Sequence, residues 1–173
     1  MSIWGDINRR SQGHNLKKED IIFKELIYGK DQELEIIVHN IYHGVEYYVV
    51  NYGHYPAAYV VCDVEFLARR YEPGDTLDAI SIHGGVTYVG PMCKLKAFPW
   101  MPENKFCFGW NYDHASDWNG NLSQFLNQLQ LKHFYTTEMI VADCKSAIDQ
   151  YLGLKRHDEV FRAQICPTLE EKA

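Results

Sequence analysis

The chain lacks the sequence devices that announce the commoner chemistries. No run of about 18 apolar residues occurs, so no membrane-spanning helix is expected. Met1-Ser2-Ile3-Trp4-Gly5-Asp6 shows no basic region leading into an apolar one. Lysine and arginine total 17 against 23 aspartates and glutamates, and basic residues cluster no further than short pairings such as Lys94-Leu95-Lys96 and Arg69-Arg70. Neutralising a phosphate backbone needs a basic patch, so nucleic acid is not an expected partner. The five cysteines (Cys62, Cys93, Cys107, Cys144, Cys166) are odd in number and have no Cys-x-x-Cys spacing, which excludes a disulfide framework and a zinc ribbon. These features together predict a reduced, cytoplasmic, membrane-free protein. Gly-x-Ser-x-Gly, the Walker loop and Gly-x-Gly-x-x-Gly are all missing, so no serine nucleophile, P-loop or dinucleotide fingerprint is assigned.

What the chain does contain is an ordinary globular balance, 46% apolar and 23% charged, enough at 173 residues for one well-buried core. We expect a single α+β domain over 17–153, an N-terminal arm over 1–16 and, over 154–173, a C-terminal tail or a loose extra helix. A helix is predicted over Lys17–Ile27, where Ile22 and Leu26 share a face and Gly29 follows as a stop. Leu34–Tyr42 and Val45–Tyr52 are β-branched and aromatic runs separated by His43-Gly44, the pattern of a tight hairpin. Ala57–Cys62 reads as a third strand, Val64–Tyr71 as a short helix, Leu77–His83 as a fourth strand, and residues 86–89 as a further strand after Gly84-Gly85. Lys105–Trp110 reads as a central strand. Leu122, Phe125, Leu126 and Leu129 then follow helical spacing. A longer helix is predicted over Thr137–Leu152, with Ile140, Cys144, Ala147, Ile148 and Tyr151 on one face, Thr136 as its cap and Gly153 as its stop. Strands early, helices late and short connections predict a mainly antiparallel sheet of five or more strands covered on one side by helices.

Three segments place a histidine at the end of an apolar run, where backbone bends and a polar side chain projects. In Gly53-His54-Tyr55-Pro56 the proline fixes the chain and gives His54 and Tyr55 defined directions. In Ser81-Ile82-His83-Gly84-Gly85-Val86-Thr87-Tyr88 the two glycines allow a ligand to approach backbone amides, with Thr87 and Tyr88 as hydroxyl donors. In Phe108-Gly109-Trp110-Asn111-Tyr112-Asp113-His114-Ala115-Ser116-Asp117 two carboxylates and an imidazole fall within one turn of one another. Asp113, His114 and Asp117 can take a divalent metal, or an acid can orient His114 as a general base. Equally, Asp117 can cap the following helix and Asp113 can close an Asx turn. No metal ligand set and no cofactor is assigned from the sequence. His83, His114 and Asp117 are the catalytic candidates. His54, Tyr55, His83, Gly84, Gly85, Thr87, Tyr88, Trp110, Asp113, His114 and Asp117 are the candidates for contacting a ligand. The remaining histidines, His39 and His133 among them, are given no role.

On these three motifs the chain resembles a family of small proteins encoded by bacteriophages and prophages. Its members read Tyr-Pro-x-x-Tyr, His-Gly-Gly-Leu-Thr-Tyr and Gly-x-Asp-x-Ala-His-x-x-Asp before a closing helix, and the likeness spans about residues 35–153. Val86 stands where the family has leucine, Asn111 where it has its first aspartate, and Asp113 where it has alanine. The resemblance implies a host-cell cytoplasm and, by analogy, a part in the contest with the host or in nucleotide metabolism. Three functions follow as expectations. One is a protein that binds, and so sequesters, a nucleotide-like or phosphorylated small molecule. The second is a small hydrolase using His/Asp acid–base or metal chemistry on such a molecule. The third is an interaction protein whose acidic surface meets a basic partner. A homo-oligomer is compatible with each.

Overall fold

The computed structural model describes residues 22–23, 32–70 and 79–165. Among the described residues six strands form one antiparallel sheet: β1 (Ile22–Phe23), β2 (Glu35–Tyr42), β3 (Val45–Asn51), β4 (Pro56–Cys62), β5 (Tyr88–Pro91) and β6 (Phe106–Asn111), in the order β1-β2-β3-β4-β6-β5. Among the described residues three α-helices accompany them: α1 (Val64–Arg70), α2 (Gln124–Leu129) and α3 (Thr137–Ile165). The β2–β3 hairpin turns at His43-Gly44, with φ of 49° and 79°. Both central residues are left-handed, as a two-residue turn matched to strand twist requires.

Strand alternation divides the core between the two faces of the sheet. Tyr47, Val49, Ala58, Val60, Phe108 and Trp110 face α1 and α3, where Phe66, Leu67, Ile140, Cys144, Ala147, Ile148 and Tyr151 complete one cluster. Tyr48, Val50, Ala57, Tyr59 and Cys107 face the other way and are covered by Met92, Ala97 and Phe98 from the segment between β5 and β6. Helices thus cover one face and irregular chain covers the other. The α3 face is the one that the apolar spacing predicts, and Thr136 caps the helix, its Oγ1 accepting from the Met139 N–H at 3.3 Å.

A half-buried network steadies the turn end of the hairpin. Glu46 accepts from Lys105 Nζ (2.5 Å), lies 2.6 Å from His39 Nε2 and takes the Tyr48 hydroxyl proton bond. Partial burial alone would raise its carboxyl pKa, but these donors outweigh that and hold it down at about 2. His39 is therefore a structural partner of Glu46, its ring stacked on Tyr48.

Four expectations are corrected. Ile22–Phe23 pairs with His39 and Val38 at the edge of the sheet and so is not helical; the rest of the predicted 17–27 helix lies outside the described residues. Residues 79–83 of the predicted fourth strand are irregular chain, bent at Ile80 and turning at His83. The reason is visible at Ser81, whose N–H donates to Gln150 Oε1 (2.7 Å) and whose carbonyl accepts from Gln150 Nε2 (3.0 Å). A side chain of α3 takes the groups a strand ladder would use. The strand after the glycines begins at Tyr88 rather than at residue 86. Finally, α3 does not stop at Gly153 but runs through it to Ile165, so residues 154–165 continue the same helix rather than forming a tail or a separate one, tied back by Lys155 to Asp63 at 2.5 Å.

Gly153 is consequently an interior helical glycine, and a Cβ there would meet nothing within 4 Å. Gly153→Ala should stabilise the protein by about 0.5–1 kcal/mol, read as a raised urea midpoint with an unchanged m-value. A loss of stability would show that the helix is not continuous there.

Candidate functional site

The site lies at the end of the sheet where Ala57 pairs with Asn111 and Tyr88 with Gly109. Two loops cross it. In the first, the Gly85 N–H donates to the Ile82 carbonyl (3.1 Å), closing a turn with His83 and Gly84 at its centre; Gly84 has φ +67°, which the turn requires of a residue without Cβ. In the second, which leaves β6 at Tyr112, the Asp117 N–H donates to the His114 carbonyl (2.9 Å) and Asp117 Oδ2 accepts from the His114 N–H (2.9 Å). The carboxylate is thereby folded back over its own loop.

These turns bring His83, His114 and Asp117 together. His83 Nε2 is 2.8 Å from Asp117 Oδ2, His114 Nδ1 is 2.9 Å from the same oxygen, and the two ring nitrogens are 3.2 Å apart. The Asp117 side chain is 1% exposed, against 20% for His83 and 35% for His114, so the carboxylate forms the floor and the imidazoles form the opening. Burial would raise the Asp117 pKa, but bonds from His83, the His114 N–H and the His114 ring prevail and hold it below the usual carboxylate range. The other oxygen, Oδ1, is the one buried side-chain polar atom among the described residues without a hydrogen-bond partner.

A supporting layer fixes His83. Its ring lies parallel to that of Tyr112, 4.8 Å between centroids and 5° between planes. Tyr112 is locked in turn, accepting from Trp110 Nε1 (2.9 Å) and donating to Asp143 Oδ2 (2.7 Å). Burial, and then Asp143, push the Tyr112 phenol pKa far up, so it serves as a neutral donor. The Tyr135 hydroxyl lies 3.1 Å from His83 Nδ1. Tyr135 reaches this position because residues 116–118 and 133 pair like a short parallel strand: the Trp118 N–H donates to the His133 carbonyl, and the His133 N–H to that of Ser116, each at 2.8 Å. Tyr112, Tyr135 and Asp143 were not candidates on the sequence. Only Tyr112 carried a signal, sitting between Asn111 and Asp113 in the third motif.

The other candidates occupy different positions. His54, Tyr55, Thr87 and Trp110 line a cleft of about 380 Å³ at the same sheet end, together with Tyr52, Tyr59 and Lys96. His54 is therefore a wall of that cleft and not a fourth member of the His83 cluster. Tyr52 and Tyr55 stack at 5.5 Å, and the Tyr52 and Tyr59 hydroxyls are 2.8 Å apart. The two regions adjoin through the backbone, the Gly120 N–H donating to the His54 carbonyl and the Tyr112 N–H to that of Pro56. The Tyr88 hydroxyl donates to the Pro91 carbonyl, and the Tyr88 ring stands edge-on to Tyr59 of the cleft. Asp113 accepts from Asn119 Nδ2 at 3.4 Å. Asp117 does not cap α2; Ser123 does, its Oγ accepting from the Leu126 N–H. On α2 the apolar spacing faces outward: Phe125, Leu126 and Leu129 are exposed and Asn127 is buried.

Chemically, the cluster offers two imidazole nitrogens and one carboxylate oxygen to a single point, a set that can hold a cation or pass a proton. A second cleft, of about 510 Å³ at the opposite end of β4 and β6, holds the Lys155–Asp63 pair and no histidine. None of the helices among the described residues is long and apolar enough to cross a membrane. No protein-family model, curated protein or solved structure matches the chain.

Proposed function

We propose that this protein binds a small nucleotide-like or phosphorylated molecule at the His83 end of its sheet. The observation that carries the reading is the cleft of about 380 Å³ walled by Tyr52, Tyr55 and Tyr59, with Lys96 and Thr87 on its lining. Its size falls in the range of small-molecule sites. The Tyr52 and Tyr55 rings supply flat faces for a base, and Lys96 with the Thr87 hydroxyl supplies the cation and donor that a phosphate needs. The motif resemblance to phage-encoded proteins gives the reading a setting, in which the ligand is a metabolite or signal of the host cytoplasm.

Hydrolysis is the second reading, favoured by the His83–Asp117–His114 cluster at the same sheet end, which simple capture does not need. Equilibrium dialysis against nucleoside monophosphates, diphosphates and cyclic phosphates tests both. The expected result is a Kd below about 1 mM for at least one of them, weakened about tenfold or more by Lys96→Ala and by Tyr55→Ala. No binding across the set overturns the proposal. Ligand recovered unchanged supports sequestration; products that vanish in His114→Ala support hydrolysis.

A further inference from the structure

We propose that His83 Nε2, His114 Nδ1 and Asp117 Oδ2 together bind one divalent transition-metal ion of the zinc class. The argument begins with proton counting. The three atoms stand 2.8, 2.9 and 3.2 Å from one another, each pair at hydrogen-bonding distance. An imidazole nitrogen that carries a proton cannot also accept one, so no placement of protons turns all three edges into hydrogen bonds. If both rings donate to the carboxylate, two N–H groups face each other across 3.2 Å; if one ring donates to the other, a bare nitrogen faces the carboxylate. A cation seated about 1 Å above the centre of the triangle can be shared by all three atoms at once. The edges suit it, since a point about 2.0–2.1 Å from every atom, the usual Zn–N and Zn–O distance, exists just off their plane.

Two observations outside the triangle agree. Asp117 Oδ1 is buried with no hydrogen-bond partner, a costly state for an ionised carboxylate unless a positive charge lies close by. Tyr135 sits 3.1 Å from His83 Nδ1, the nitrogen left over when Nε2 is a ligand. In that tautomer Nδ1–H donates to the Tyr135 oxygen, which is how metal-binding histidines are held. Parallel stacking on Tyr112 fixes the same ring in a second direction.

The donor set indicates the ion. Two imidazoles and one carboxylate suit zinc, cobalt or iron(II), whereas magnesium and calcium seek all-oxygen shells. Three protein ligands leave coordination positions open toward the partly exposed rims of His83 and His114, as in sites that hand the metal a water or a ligand. Two neutral imidazoles and one carboxylate leave a divalent ion with a single net positive charge, which favours an anionic ligand.

Cobalt(II) titration of the EDTA-treated full chain is the test. One cobalt per chain is expected, with visible absorption bands of a four- or five-coordinate centre that zinc displaces. His83→Ala, His114→Ala and Asp117→Asn should each weaken binding by about 100-fold or more. Cys93→Ser, at the one described cysteine that is not buried, should change nothing. Tyr135→Phe keeps all three ligands and should weaken binding about tenfold, which distinguishes loss of metal from loss of fold if a ligand variant is unstable. A folded protein by circular dichroism that takes up no stoichiometric cobalt, or uptake unaltered in both histidine variants, overturns the assignment. The titration contains no nucleotide, so its outcome and that of the dialysis experiment are read separately.

Discussion

Alanine at position 84 is expected to dismantle the His83–His114–Asp117 cluster while leaving the fold standing. An added Cβ would lie 2.1 Å from both Cε1 and Nε2 of His114 and 3.0 Å from its Nδ1, inside any tolerable contact. The His114 side chain is 35% exposed, so its ring yields toward solvent rather than the sheet yielding beneath it. The φ of +67° adds about 1–2 kcal/mol of strain for a residue with a Cβ. Cobalt affinity should therefore fall by about 100-fold or more, while the thermal midpoint drops by only several degrees. Affinity within about threefold of the parent would mean that His114 is not held where the cluster needs it.

The second large effect is global. Gly109 in β6 lies opposite Tyr59 in β4, and a Cβ there would stand 2.3 Å from Tyr59 Cδ1 and 2.6 Å from the Ala58 carbonyl oxygen. The first cannot rotate away, because Tyr59 is buried, its hydroxyl 2.8 Å from that of Tyr52 and its ring set edge-on against Phe98. The second is backbone in the middle of the sheet and can move only by breaking the β4–β6 ladder. Gly109→Ala should cost about 3 kcal/mol or more, above the usual cost of overpacking because both neighbours are fixed. Urea unfolding monitored by tryptophan fluorescence should show a large fall in midpoint, or no folded protein at all. An unchanged midpoint would contradict the register of β4 against β6.

Much of this architecture is legible in local chemistry. His43-Gly44 between two β-branched runs needs no tertiary information to be a hairpin turn, and the period of Ile140, Cys144, Ala147, Ile148 and Tyr151 marks a buried helix face. What escapes local reading is decided at a distance. Residues 79–83 have the composition of a strand, yet Gln150, 69 positions from Ser81, captures the backbone groups a strand would pair. Gly153 has the look of a stop, but with Lys155 bound to Asp63 the helix is anchored beyond it. On α2 the spacing is helical and the apolar side is nonetheless exposed, because Asn127 turns inward to bond the carbonyls of Asn119, Leu122 and Ser123.

The site divides in the same way. His83, His114 and Asp117 stand out in the sequence because each follows an apolar run beside a glycine or within a polar loop. Tyr135 does not, since it reaches His83 only through the pairing of His133 with residues 116–118, which no pattern in either segment announces. His54 looks like His83 and His114 on the page. It separates from them in space because the Gly53–Pro56 bend directs it to the Tyr52–Tyr55 cleft.

The most direct measurement is anomalous X-ray scattering from crystals of the full chain grown with zinc, recorded on both sides of the zinc absorption edge. The account predicts one peak per chain, about 2.0–2.1 Å from His83 Nε2, His114 Nδ1 and Asp117 Oδ2. A map without a peak at that point, or with zinc held only by other side chains, would contradict it.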